Sequence, residues 1–167
     1  MSKSTFLNAL REFDFPTNTS RKNIFNRGQT SYKGFVLGKI NNTPYWVNKG
    51  LPKQDLSRFT KQDKYKPIYK MARDLMKKHN PSFKFSSIQF NKNQRSARHK
   101  DGRNATDSYI IGLGDYTGGD LRIWSEDEKK YKDVNIRNRW VRFNGAKHFH
   151  ETTPFKGERY TIVYYNI

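Results

Sequence analysis

From Pro81 onward the sequence is a succession of short β-branched and aromatic runs broken by polar turns: Phe85–Asn91, Ser108–Leu113, Asp120–Trp124, Tyr131–Asn135, Arg139–Asn144 and Glu158–Asn166. Runs of this kind, joined by turns such as Thr117-Gly118-Gly119, read as antiparallel strands, and six of them in fewer than 90 residues predict a sandwich or barrel. Upstream, Met1 to about Asp63 is punctuated by Gly34, Gly38, Pro44, Gly50 and Pro52, with Tyr32–Ile40 and Tyr45–Val47 as short strands. One helix is expected. Ile68, Met71, Ala72, Leu75 and Met76 fall three and four apart, Pro67 suits a first helical turn, and Asn80-Pro81 closes the segment. A chain of 167 residues then makes one mainly β (α+β) domain, with residues 1–80 supplying N-terminal strands and a support helix and residues 81–167 the β core.

Composition limits the chemistry. Only 34% of the chain is hydrophobic, but 12 Phe, 10 Tyr and 3 Trp concentrate the apolar area in rings, so the core is expected to be aromatic. There are no cysteines, hence no disulfides or thiolate ligands, and any metal must be held by His, Asp or Glu. The histidines are His79, His99, His148 and His150. A formal charge of +18 concentrates anions around the protein, and nucleic acid, DNA or RNA, is the partner such a charge suggests. A merely soluble, Lys- and Asn-rich surface is the plainer alternative. No run reaches the roughly 20 apolar residues of a membrane span, and the first residues lack the apolar core of a secretory signal. A soluble intracellular protein, cytoplasmic or nuclear, is the expectation.

Two short motifs carry possible chemistry. In His99-Lys100-Asp101, alternation along an extended backbone points the imidazole and the carboxylate the same way, a spacing that lets both bind one metal. By the same rule, Arg159, Thr161, Val163 and Tyr165 share one face of the last strand while Tyr160, Ile162 and Tyr164 share the other. An arginine beginning an apolar strand either pairs with a carboxylate at the strand end or, with the Thr161 hydroxyl, grips a bound carboxylate in a barrel mouth. His148-Phe149-His150 lies just upstream, and His79, at a helix end, reads as a surface residue favouring the helix dipole.

The order His99-x-Asp101, a distal His150, then Arg159-x-Thr161 resembles the 2-oxoglutarate/iron(II) dioxygenases. Gly112 through Leu121, Asn144-Gly145 and Gly157-Glu158-Arg159-Tyr160 are similar to the small branch near the TET/JBP-type base oxygenases and prolyl-hydroxylase-like proteins. The resemblance covers about Phe85 to Tyr165 and implies a double-stranded β-helix (jelly-roll) core buttressed by the preceding helix. It implies catalytic Fe(II) held by His99, Asp101 and His150, with 2-oxoglutarate and O2 as co-substrates and Arg159 and Thr161 on the oxo acid. Its usual ligand-to-arginine spacing favours His150 over His148. The tyrosine that prolyl hydroxylases place on the strand after the metal pair falls at Gly112 here, leaving Tyr109 or Asn91 as expected substitutes.

Lys92, Arg95, Arg98, Lys100 and Arg103 crowd the proposed metal pair. With His148 on the substrate side, the expectation is a rim that holds phosphates while a base is extruded to the metal. The leading activity is hydroxylation of a nucleobase or its methyl group, as in thymine or 5-methylcytosine, with succinate and CO2 as co-products. The alternatives are a prolyl- or lysyl-type protein hydroxylase, a small-molecule hydroxylase and a non-catalytic basic binding module.

Overall fold

The computed structural model describes residues 1–40 and 56–167, so the expected strand Tyr45–Val47 lies outside the described residues. Its first element, α1 (Lys3–Glu12), was not anticipated. The Ser2 hydroxyl accepts a hydrogen bond from the Thr5 amide at 3.1 Å, capping the helix, and Phe6 and Leu10, one turn apart, are buried. With one buried contact per turn over ten residues, little periodicity was there to be read. Next come β1 (Thr17–Asn18), a 3-10 turn over Lys22–Ile24 and β2 (Tyr32–Gly38).

The expected helix is α2 (Lys66–His79), with Pro67 in its first turn and Ile68, Ala72, Leu75 and Met76 buried. The Asn80 amide donates to the Met76 carbonyl at 2.8 Å, and Pro81 cannot continue the ladder. Nine strands follow: β3 (Ser87–Lys92), β4 (Ser108–Leu113), β5 (Tyr116–Gly118), β6 (Leu121–Trp124), β7 (Tyr131–Val134), β8 (Val141–Phe143), β9 (His150–Thr152), β10 (Phe155–Gly157) and β11 (Tyr160–Tyr165). Three of them, β5, β9 and β10, are three-residue strands that the sequence does not mark as strands, because segments so short carry no measurable alternation.

The strands form a six-stranded antiparallel sheet, β1-β2-β3-β11-β4-β8, and two smaller sheets, β7-β6-β9 and β10-β5. One face of the large sheet is covered by the helices. Ile88 and Phe90 of β3, Ile111 and Leu113 of β4, and Tyr160, Ile162 and Tyr164 of β11 pack there against Phe6, Leu10 and the apolar side of α2. The centre of this core is aromatic, with Phe35 stacked on Phe90 at 4.6 Å between ring centroids. Tyr164 donates its hydroxyl to the Ala72 carbonyl at 2.7 Å, tying α2 to the central strand without leaving a buried polar group unpaired.

On the opposite face of the large sheet, Gln89, Asn91, Ile110, Thr161, Val163 and Tyr165 line a cavity of about 660 Å³. A second small core of Ile110, Leu121, Ile136 and Phe143 closes part of this space. The architecture is the mainly β jelly-roll, or double-stranded β-helix, and among the described residues two helices buttress one sheet. One face of the large sheet provides stability, and the other leaves room for chemistry.

Candidate active site

His150 opens β9, and its neighbour across the ladder on one side is Ile123 of β6. On the other side His99 forms an antiparallel bridge with it, the two residues exchanging amide-to-carbonyl hydrogen bonds of 3.0 Å in each direction. The bridge sets the imidazoles side by side, with ring centroids 4.3 Å apart. Two residues on, the Asp101 amide donates to the Gly145 carbonyl at 2.8 Å, turning the carboxylate back toward both rings. Asp101 Oδ1 lies 3.7 Å from His99 Nε2, Asp101 Oδ2 lies 3.2 Å from His150 Nε2, and one ligand atom from each residue lies within 4.8 Å of the other two.

Each ring is oriented by a backbone carbonyl: His99 Nδ1 is 2.6 Å from the Ala97 oxygen and His150 Nδ1 is 2.9 Å from the His148 oxygen. With Nδ1 donating its proton, the Nε2 lone pair of each ring faces the common centre, as a metal requires. Burial and the adjacent His150 push the His99 imidazolium down to about 4, so the ring is neutral near pH 7. Burial alone would raise the Asp101 carboxyl. The adjacent His150 and His99 imidazoles and the Arg21 guanidinium outweigh it and hold the group at about 2. Two ligands bound at right angles to one ion stand about 3 Å apart. The carboxylate's spacings of 3.2 and 3.7 Å to the two rings come near that demand, and two imidazoles with one carboxylate form the donor set that leaves open positions on Fe(II).

Across the cavity, Arg159 is 3% exposed. Its guanidinium donates to the Gly119 carbonyl at 2.9 Å and the Gln94 carbonyl at 3.4 Å, while among the described residues Nε has no partner and no carboxylate lies in ion-pair range. The alternative of an arginine paired with an acid at the strand end is therefore not what the structure shows. Gly119 is required here. It has φ +66, and an added Cβ would stand 2.7 Å from Arg159 Nε. A buried cation without a counter-charge carries a heavy desolvation penalty, which an incoming anion relieves. Thr161 stands beside it, its hydroxyl accepting from Asn91 Nδ2 at 3.0 Å, with Gln89 donating to the Asn91 oxygen at 3.1 Å.

The structure corrects the expectation for Tyr109. Alternation on β4 sends it to the helix side, where it packs on Phe83 at 4.7 Å and receives a hydrogen bond from Asn80 Nδ2 at 3.3 Å. The phenol that lines the cavity is that of Tyr165; Tyr116 does not line it and packs beside Arg159, whose guanidinium carbon is 5.5 Å from its ring centroid. A Cβ on Gly112 would lie 2.3 Å from the Tyr116 oxygen, so the missing side chain of Gly112 is the space that this hydroxyl fills. Tyr116 is buried, its hydroxyl has no hydrogen-bond partner among the described residues, and burial raises its pKa against the pull of Arg159, keeping it a proton donor. Removing an unpaired buried hydroxyl stabilises, so Tyr116→Phe is expected to raise the melting temperature of the ligand-free protein. The gain is about 1 kcal/mol, roughly 2–4 °C, as read by calorimetry.

Of the expected basic rim, Arg103 lines the cavity together with Lys100 and with Arg21, whose guanidinium is 3.5 Å from Asp101. Lys92 does not. It follows Phe90 on the helix-facing side of β3, and its ammonium lies 5.9 Å from the Tyr160 ring. Arg95 is exposed, away from the cavity wall, and Arg98 pairs with Glu128 at 2.8 Å and lies 4.1 Å from the Trp124 ring. The His148 ring hydrogen-bonds the Trp124 carbonyl through Nδ1 at 2.8 Å and borders a separate groove, so only its backbone touches a metal-site residue. Gln89 was legible, as a polar residue on the same face as Asn91. Arg21 was not, because a loop carries it in.

No family model matches the sequence, and no curated protein matches it. Solved structures match the fold. A 2OG-Fe(II) oxygenase family oxidoreductase from Burkholderia pseudomallei aligns with 98% of this chain and 77% of its own at 15% identity and a TM-score of 0.60. NgTET1 in complex with 5mC DNA aligns with 99% of this chain and 69% of its own at 14% identity and a TM-score of 0.56. OsALKBH1 aligns with 99% and 93% at 10% identity and a TM-score of 0.54. At these identities the likeness establishes the fold.

Proposed function

We propose that the protein is an Fe(II)- and 2-oxoglutarate-dependent oxygenase. The observation that carries this reading is the presence, in one cavity, of three converging metal-binding side chains and a buried guanidinium with no acid partner among the described residues. A divalent ion, the Asp101 carboxylate and the Arg159 guanidinium together leave two positive charges there, which the two carboxylates of 2-oxoglutarate neutralise. When bound, iron and the oxo acid supply O2 activation for C–H hydroxylation, with succinate and CO2 as co-products.

The chain's own residues bind and orient. His99 and His150 are held in the right tautomer by backbone carbonyls, and Arg159 Nε, without a hydrogen-bond partner among the described residues, is the donor for the distal carboxylate. Thr161 and Asn91 extend this polar wall, and Ile110, Leu121 and Val163 keep water from the space between.

We further propose that the substrate is a nucleic-acid base or its methyl group, thymine or 5-methylcytosine. The +18 charge, the cationic cavity lining of Arg21, Lys100 and Arg103, and the likeness in fold to NgTET1 bound to 5mC DNA support this reading. Incubation with Fe(II), 2-oxoglutarate and O2 in the presence of single- or double-stranded DNA or RNA should yield nucleosides heavier by one oxygen. Oxygen incorporated only into peptides would contradict it. Binding should weaken steeply with salt, and Arg103→Ala should reduce the slope of log K against log salt by about 0.7–0.9 if Arg103 contacts a phosphate.

A further inference from the structure

Beside the metal cavity lies a second depression of about 400 Å³, between the β6–β7 hairpin and the turn after β8. Its size falls within the roughly 300–1,000 Å³ of small-ligand pockets. Phe143 lines both spaces: it contributes to the cavity wall, its ring centroid 5.1 Å from that of His150, and it also borders the groove. A molecule seated in the groove is thus one side chain away from the metal ligands.

The groove is built from rings and cations. Trp124 and Tyr131 sit side by side, with centroids 4.9 Å apart, and Tyr131 is 51% exposed, the largest exposure among the big apolar side chains described. Arg122 and Trp124 already pack against this ring, and burying the half that stays exposed against another flat group would be favourable. Arg98 lies 4.1 Å from the Trp124 ring and Arg122 lies 3.9 Å from Tyr131. Neither guanidinium lines the groove, so the rings border it with other parts of their surface. Lys130 and Lys132 stand at the edge with no carboxylate in ion-pair range among the described residues, and Arg142, held by Asp107 at 3.3 Å, completes the basic border. The His148 ring forms part of the wall. Exposed aromatics interleaved with free cations suit a chain of flat bases joined by phosphates: the rings offer stacking surfaces and the lysines offer counter-charge.

We propose that this groove is a subsite for single-stranded DNA, in which a base stacks on Trp124 and Tyr131 while Lys130 and Lys132 hold the flanking phosphates. It rests on the nucleic-acid reading above and assigns that substrate a second point of contact, separated from the metal cavity by Phe143. A strand held there is anchored next to the base being oxidised, so the groove acts on the choice of neighbouring nucleotide.

The test uses metal-free protein, so it is independent of whether the metal site is an oxygenase centre. Fluorescence anisotropy is read with a short labelled oligothymidylate, an abasic strand of equal length and an oligouridylate. Tyr131→Ala is expected to weaken oligothymidylate binding roughly 5- to 100-fold and leave the abasic strand unchanged, and Tyr131→Phe is expected to retain binding. Lys132→Ala should weaken both strands alike. The proposal is overturned if Tyr131→Ala leaves oligothymidylate binding intact or weakens the abasic strand equally, if Lys132→Ala leaves the abasic strand unaffected, or if oligouridylate binds more tightly than oligothymidylate. Because Tyr131 is exposed and outside both cores, its replacement tests the surface and not the fold. Loss of stacking with intact Fe(II) binding would separate this proposal from the oxygenase reading, which fails only if Fe(II) and 2-oxoglutarate do not bind.

Discussion

Asp101→Ala is expected to leave no measurable succinate formation and to weaken Fe(II) binding by more than 100-fold, beyond the roughly 10- to 100-fold that loss of an outer partner costs. The reason is that Asp101 supplies the only carboxylate in the cluster, with its two oxygens facing His99 at 3.7 Å and His150 at 3.2 Å. Without it, two neutral imidazoles remain, and Arg21, 3.5 Å from the carboxylate, is left as an unbalanced positive charge beside the ion. His150→Ala should abolish activity in the same way, whereas His148→Ala should retain a measurable fraction. His148 touches the site only through its carbonyl, which the substitution preserves. Inductively coupled plasma analysis of bound iron, together with succinate assays on the same preparations, checks both. Iron bound equally by the wild type and Asp101→Ala would contradict the assignment.

Arg159→Met is expected to separate stability from ligand binding. Among the described residues the buried guanidinium has no counter-charge and one unpaired nitrogen, so an apolar side chain of similar length removes a desolvation penalty while orphaning the Gly119 and Gln94 carbonyls. These opposing effects should leave the melting temperature little changed. Binding of 2-oxoglutarate should fall by about 2–5 kcal/mol, roughly 30-fold or more, because the distal carboxylate then enters a buried site without its cation. Fe(II) affinity should be unaffected. A large loss of thermal stability with unchanged 2-oxoglutarate binding would make Arg159 structural.

Much of this arrangement could be read from alternation alone. The faces of β11 place Arg159 and Thr161 in the cavity and Tyr160, Ile162 and Tyr164 in the core, as their order along the chain requires. The His99-x-Asp101 spacing works for the same reason. Where alternation was set aside, the expectation failed: Tyr109 and Lys92 alternate with cavity-facing residues of their strands and so turn to the helix side, though both lie near the metal pair in the sequence. Other features were not legible because their cause is long-range. Tyr116 comes to lie against Arg159 only because β5 pairs with β10 across distant sequence and Gly112 leaves the space its hydroxyl fills. The convergence of His150 on His99 rests on a single bridge between residues 51 apart in the sequence. Helix α1 escaped notice because its two buried positions are too few to set a period.

The most direct measurement is an anaerobic titration of the metal-free protein with Fe(II) and then 2-oxoglutarate, followed by visible absorption. One Fe(II) per chain should bind, and a charge-transfer band characteristic of an oxo acid chelated to ferrous iron should appear only after 2-oxoglutarate is added, in the wild type but not in His99→Ala, Asp101→Ala or His150→Ala. A band that persists in those variants, or a wild-type protein that binds iron without ever giving the band, would show that the three side chains and Arg159 do not form one site.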